Sequence, residues 1–133
     1  MLKTLTVLAL MISSILAEVI NEFPSQSLLN SKIKIIDIRT QGEWIETGLL
    51  KGAVPITFFD ERGNYNIPVF MQKLQAEIKP GEKFAIICHV GSRTGMLATF
   101  LAKEYNMRVI NLKGGMDYAK AKGLPILPYK KNR

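Results

Sequence analysis

The chain has one cysteine, Cys88, and the residues around it have the types and spacing for chemistry at sulfur. Cys88 closes an apolar run, Phe84-Ala85-Ile86-Ile87, and is followed by His89-Val90-Gly91-Ser92-Arg93-Thr94. Beyond that loop Leu97, Phe100, Leu101 and Glu104 fall at i, i+3, i+4 and i+7, the spacing of an amphipathic helix. The stretch therefore reads as strand, tight loop, helix, with the thiol at the strand's C-terminal end, where ligands sit in open α/β sheets. Only a thiolate attacks, and a helix N-terminus with a nearby guanidinium can bring a cysteine pKa from about 8.5 to roughly 3.5–7.5. The N–H groups of residues 89–94 can converge on one point as an anion nest. Gly91 lets the backbone approach whatever is held there, and Arg93 adds a fixed positive charge with several donors. Together these residues describe a nucleophilic sulfur in a pocket for a small anion.

Competing readings exist for each residue. A lone cysteine after Ala-Ile-Ile is commonly a small buried hydrophobe, but a polar Gly-Ser-Arg loop joining strand to helix has no packing reason to be there. His89 is the only histidine and reads as a solvent-facing loop residue rather than a base. Ser92 and Thr94 read as helix caps rather than nucleophiles.

The elements that must position the loop follow from pattern. Residues 32–38 have the continuous apolar character of a buried parallel strand, with Asp37 and Arg39 at its C-terminal end. Thr40 and Glu43 have capping-box spacing for a short helix containing Trp44. Phe23-Pro24-Ser25 reads as the cap of a short helix carrying Leu28 and Leu29. Residues 53–56 form another strand, and residues 67–78 a helix with Phe70, Leu74 and Ile78 on one stripe and Pro68 in its first turn. Residues 57–66 form either a loop over the pocket or a hairpin packed on the core. Residues 107–112 read as the last parallel strand, Gly114-Gly115 as a tight turn, and Tyr118 to Lys122 as the start of a closing helix. Alternating strands and helices require a three-layer α/β domain with a central, mostly parallel sheet flanked by helices.

Composition narrows the function. The 133 residues are 47% apolar, enough for one core, and carry a formal net charge of +7. The basic residues are scattered apart from the tail Lys130-Lys131-Asn132-Arg133, which reads as a solvated end. Without an aromatic–basic stripe, nucleic-acid binding is excluded, and a general attraction for anions remains. No internal repeat or metal-ligand cluster is present in the sequence. Residues 1–17 look like an export leader: Lys3 gives a positive start, Leu5 to Leu16 an apolar segment, and Ala17 a small residue before Glu18. The apolar run is short for a bilayer span; an uncleaved anchor is the alternative to cleavage. Without a cysteine near the cut, a lipoprotein is excluded. An exported protein with one cysteine has no internal disulfide, and a free thiol there points to chemistry. The expected location is periplasmic, with no stable membrane association after leader removal.

At this point the loop resembles a known one. Cys88-His89-Val90-Gly91-Ser92-Arg93-Thr94 is similar to the active-site loop of the rhodanese (sulfurtransferase) family. Ile36-Asp37-Ile38-Arg39 with Glu43-Trp44 and Gly48, Gly52 and Ala53 resembles a second block of that family, and Leu112, Gly114, Gly115, Gly123 and Pro125 a third. The resemblance covers about residues 33–126 and implies that residues 18–133 form a single rhodanese-like domain. It implies sulfur transfer in two halves: Cys88 as the catalytic nucleophile takes a sulfane sulfur from a small anionic donor such as thiosulfate. The resulting persulfide then gives it to cyanide or a thiol. His89, Val90, Gly91, Ser92, Arg93 and Thr94 would bind the substrate, largely through their amides. Asp37 and Arg39 either support the loop or form an ion pair that pins strand to helix. No metal or cofactor is implied, and the protein is expected to be a monomer or weak dimer. Two positions depart from the family: Leu49 replaces the usual histidine, and Ala119 a frequent tryptophan. Cysteine phosphatases place five residues between cysteine and arginine, whereas four stand here and the phosphatase position is Thr94; that chemistry is disfavoured. A non-catalytic rhodanese-like sulfur carrier or binding module is the alternative.

Overall fold

The computed structural model describes residues 16–131. Most of the segment read as a leader, residues 1–15, lies outside the described residues. The chain runs β1 (Glu18–Glu22), α1 (Gln26–Asn30), β2 (Ile35–Asp37), α2 (Gln41–Thr47), β3 (Leu49–Leu50), β4 (Val54–Pro55), α3 (Ile67–Glu77), β5 (Phe84–Ile87), α4 (Ser92–Tyr105), β6 (Arg108–Leu112), α5 (Gly115–Ala121) and β7 (Ile126–Leu127). Five strands form one sheet in the order β1-β6-β5-β2-β4, and each pairing within it is parallel. β3 and β7 make a separate antiparallel pair.

β5 lies in the middle of the sheet and is buried along its whole length, because both faces are covered by helices. Its alternating side chains feed two cores. Phe84, Ile86 and Cys88 join Phe70, Leu74, Leu97 and Leu101, on the side of α3 and α4. Ala85 and Ile87 join Leu28, Met116 and Ala119, on the side of α1 and α5. This is the three-layer α/β arrangement read from the sequence. Among the described residues, no helix is long and apolar enough to cross a membrane.

Helix starts follow their local chemistry. Ser25 caps α1 by accepting the Leu28 N–H, Thr40 and Glu43 form a complete capping box on α2, and Asn66 caps α3 ahead of Pro68.

The structure differs from the sequence reading at the margins. β6 is the last parallel strand in chain order, as expected, but β1, not read as a strand, pairs outside it, from Glu18↔Arg108 to Glu22↔Leu112. Edge strand β1 is mostly exposed and so lacks a buried strand's apolar run. α5 starts at Gly115, three residues before the expected Tyr118. Residues 57–66 pack on the core, as a turn without the strands of a hairpin: Phe58 stacks on Tyr65 and meets Phe70 edge-on. The Asp60 carboxylate accepts the N–H groups of Arg62 and Asn64, closing the turn.

Candidate active site

The sulfur sits where β5 hands over to α4. Gly91 is the helix N-cap at φ 97°, a left-handed backbone that only glycine adopts freely. A side chain there would also press on the Gly114 amide nitrogen. The turn brings the Gly91 N–H to 3.2 Å from Cys88 Sγ. Thr94, in the first turn of the helix, places its hydroxyl 3.5 Å from the same sulfur and 3.2 Å from the Gly91 carbonyl. Thr94 is therefore a neighbour of the sulfur and not the expected cap, and no side chain caps α4. Ser92 is the first residue of the helix and faces solvent.

The loop's carbonyls are held from the other side. The N–H groups of Met116 and Asp117, at the start of α5, donate to the carbonyls of Cys88 (2.9 Å) and His89 (3.1 Å). Because the described peptides are trans and planar, drawing those carbonyls to α5 turns the N–H groups of His89 and Val90 away from it. Gly115 makes the contact possible: a Cβ there would lie 2.4 Å from the Cys88 oxygen and 2.5 Å from the His89 oxygen.

Two features depart from an open cationic cup. Cys88 has no exposed surface at all; His89 and Val90 above it are exposed. The Arg93 guanidinium does not rest on the sulfur but forms a two-pronged ion pair with Glu43, Nη1 to Oε1 and Nη2 to Oε2, each 2.7 Å. Arg93 holds the Glu43 carboxyl below the usual carboxylate range, with help from the Thr40 backbone and against the opposing effect of burial. Glu43 in turn raises the guanidinium's proton affinity. His89 lies in the loop with its Nε2 2.9 Å from an Asp117 carboxylate oxygen, both side chains largely exposed.

Asp37 and Arg39 form the buried ion pair that the sequence left as one of two readings. Arg39 Nη2 stands 2.8 Å from Asp37 Oδ2, both side chains essentially sealed. Arg39 also donates to Thr47 Oγ1 (2.6 Å) and the Gly48 carbonyl (2.7 Å), while Asp37 accepts the Trp44 indole N–H (3.1 Å). These bonds fasten the middle and the C-terminal end of α2 to the end of β2, and α2 carries Glu43. Support for the loop thus runs through Glu43, from a helix held by the buried pair. A cavity of about 350 Å³ opens beside His89, lined by Arg39, Glu46, Asp117 and Lys120 among others.

Sequence reasoning missed Glu43 as a loop partner, seeing only its capping role, and missed the contact of α5 with the loop carbonyls. The first joins residues fifty apart, a distance over which a single sequence carries no pairing signal.

Fold and loop define a small α/β domain with one cysteine enclosed by a strand-to-helix turn. The sequence matches the Rhodanese-like domain family over residues 25–122, and the chain belongs to that family. It is 29% identical over 113 residues to a protein named "Sulfurtransferase" from Allochromatium vinosum, covering 81% of this chain and 95% of that one. Its fold is similar to that of a rhodanese-like domain protein from Staphylococcus aureus, with TM-score 0.58, 21% identity and coverage of 83% and 98%. It is also similar to Rv0390 from M. tuberculosis, with TM-score 0.65, 20% identity and coverage of 86% and 99%.

Proposed function

We propose that this protein is a sulfurtransferase that carries sulfur as a persulfide on Cys88. A donor such as thiosulfate presents its outer sulfur to the Cys88 thiolate. The new S–S bond forms as the donor's own S–S bond breaks, and sulfite leaves with the electron pair. Cyanide or a thiol then removes the outer sulfur and returns the thiolate, a ping-pong cycle that needs no cofactor. The observation that carries this reading is the Gly91 N–H aimed at Cys88 Sγ from 3.2 Å, a donor already in place for negative charge on sulfur. Family membership and the similarity to the Allochromatium sulfurtransferase support it. Because Cys88 is sealed, the donor reaches sulfur only when the cover formed by the loop moves. Export to the periplasm, supported by Lys3 and the apolar run behind it, and a monomeric or weakly dimeric state belong to the same proposal.

Full burial of the thiol favours a second reading, a sulfur carrier that holds a persulfide without efficient turnover. Intact-mass measurement after thiosulfate treatment decides. The enzyme reading expects one added sulfur atom, absent in Cys88→Ser, that cyanide removes repeatedly with formation of thiocyanate. A single charge of sulfur without turnover identifies the carrier. No added sulfur on the wild-type chain refutes both.

A further inference from the structure

We infer that Glu43 selects among sulfur donors: held as the counter-ion of Arg93, it cancels the loop's guanidinium charge. The site is thereby matched to donors with one negative charge over donors with two. This rests on the sulfur-transfer reading above. The pairing is geometrically complete, since both terminal nitrogens of Arg93 meet both oxygens of Glu43 at 2.7 Å, the fork-to-carboxylate fit that arginine favours. Glu43 is not free to swing away. Its Oε1 also accepts the backbone N–H and hydroxyl of Thr40 at 3.3 Å, and Arg39 fastens the C-terminal end of the same helix.

Elsewhere near the loop, Arg39 faces Asp37, His89 Nε2 faces Asp117, and Glu46 and Lys120 both line the cavity beside His89. Attraction for an anion at the sulfur is left to N–H dipoles, that of Gly91 foremost. Such dipoles stabilise the partial charge on a donor's outer sulfur, but they offer no whole positive charge to a second negative group.

Two donors separate the charge effect from the chemistry. Thiosulfate, a dianion, gives its outer sulfur to the Cys88 thiolate and leaves as sulfite. Methanethiosulfonate, a monoanion, gives the same persulfide and leaves as methanesulfinate. In both cases one S–S bond forms, one breaks, and the electron pair departs with the leaving group. Glu43→Gln removes the carboxylate charge yet keeps a capping-box residue at that helix position. A unit charge about 10 Å away, at an effective dielectric of about 20 to 40, changes the stabilisation of each donor charge by roughly four- to fifteenfold.

The measurement is kcat/KM for both donors at fixed ionic strength. The ratio of thiosulfate to methanethiosulfonate should rise by roughly that factor in Glu43→Gln and stay at the wild-type value in Glu43→Asp, which keeps the charge. An unmoved or lower ratio in Glu43→Gln overturns the inference, as does an equal rise in Glu43→Asp, which would make the effect geometric. Should the glutamine variant fail to fold, Glu43→Ala is read out in the same way. Wild-type protein that gains no sulfur from either donor refutes the sulfur-transfer reading itself, a result distinct from two working donors whose ratio ignores Glu43.

Discussion

Replacing Gly115 by alanine tests whether α5 shapes the sulfur loop. Gly115 has φ +57°, and its added Cβ would stand 2.4 Å from the Cys88 carbonyl oxygen and 2.5 Å from that of His89. Both neighbours are backbone, so no flexible side chain can yield. Left-handed backbone costs a non-glycine residue about 1–2 kcal/mol. Relieving the overlap means pushing the loop away from α5, which strains or breaks the hydrogen bonds from Met116 and Asp117. At about 0.5–1.5 kcal/mol each, these bring the expected loss of stability to about 2–5 kcal/mol. Gly123 supplies the control, because it has φ +68° and nothing within 4 Å of an added Cβ. Gly123→Ala should show the backbone strain alone, about 1–2 kcal/mol. Urea unfolding of both variants measures that difference. Persulfide formation from thiosulfate, followed by intact mass, measures its effect on the site. A displacement near 1 Å at a reacting group can cost about a hundredfold in rate, so Gly115→Ala should form the persulfide about 10- to 100-fold more slowly than Gly123→Ala. Equal urea midpoints and equal rates for the two variants would show that the contact with α5 does not set the loop.

Two further substitutions probe the supports. Arg39→Ala leaves the Asp37 carboxylate buried without its guanidinium, and breaking such a pair costs about 3–5 kcal/mol. Trp44, the only tryptophan, donates to Asp37, so its fluorescence should shift to the red as α2 loosens from β2; an unchanged spectrum and urea midpoint would count against the buried pair as the anchor of α2. Thr94→Val keeps the side chain's shape but removes the hydroxyl between Cys88 Sγ and the Gly91 carbonyl. Stability should fall by about 0.5–1.5 kcal/mol, and persulfide formation should slow without being lost; a wild-type rate would relieve Thr94 of any part in holding the sulfur.

What the sequence made legible is what neighbouring residues decide. The β5–loop–α4 unit was readable because its apolar run, Gly91 and helical spacing are contiguous. The start of α2 was readable because Thr40 and Glu43 are three residues apart. Strand β1 was not, because an edge strand with exposed Glu18, Val19 and Glu22 shows no buried run. Nor were β3 and β7, two residues each, whose pairing of Leu49 with Leu127 comes from the closing of the whole chain. At the site the same rule holds. The order Cys88, Gly91, Arg93 is local and was visible, whereas the partners that decide how those groups are aimed, Glu43 and the start of α5, arrive from elsewhere in the chain.

That division bears on how such a loop can work. Arginine side chains move, and a guanidinium resting on the sulfur would have to shift whenever a donor entered or a product left. Here Arg93 is tied to a helix that is itself tied to β2. Beside the Thr94 hydroxyl, the group facing the sulfur is a backbone N–H in a loop whose carbonyls are held by α5. A dipole fixed by the fold needs no reorganisation when charge builds on sulfur, which is the condition under which electrostatic stabilisation accelerates a reaction most. The same fixity explains why the thiol can be fully covered. The Gly91 amide nitrogen stands 3.2 Å from Cys88 Sγ and the thiol has no exposed surface, so on the sulfur-transfer reading proposed above, taking up a donor and opening the loop become one event.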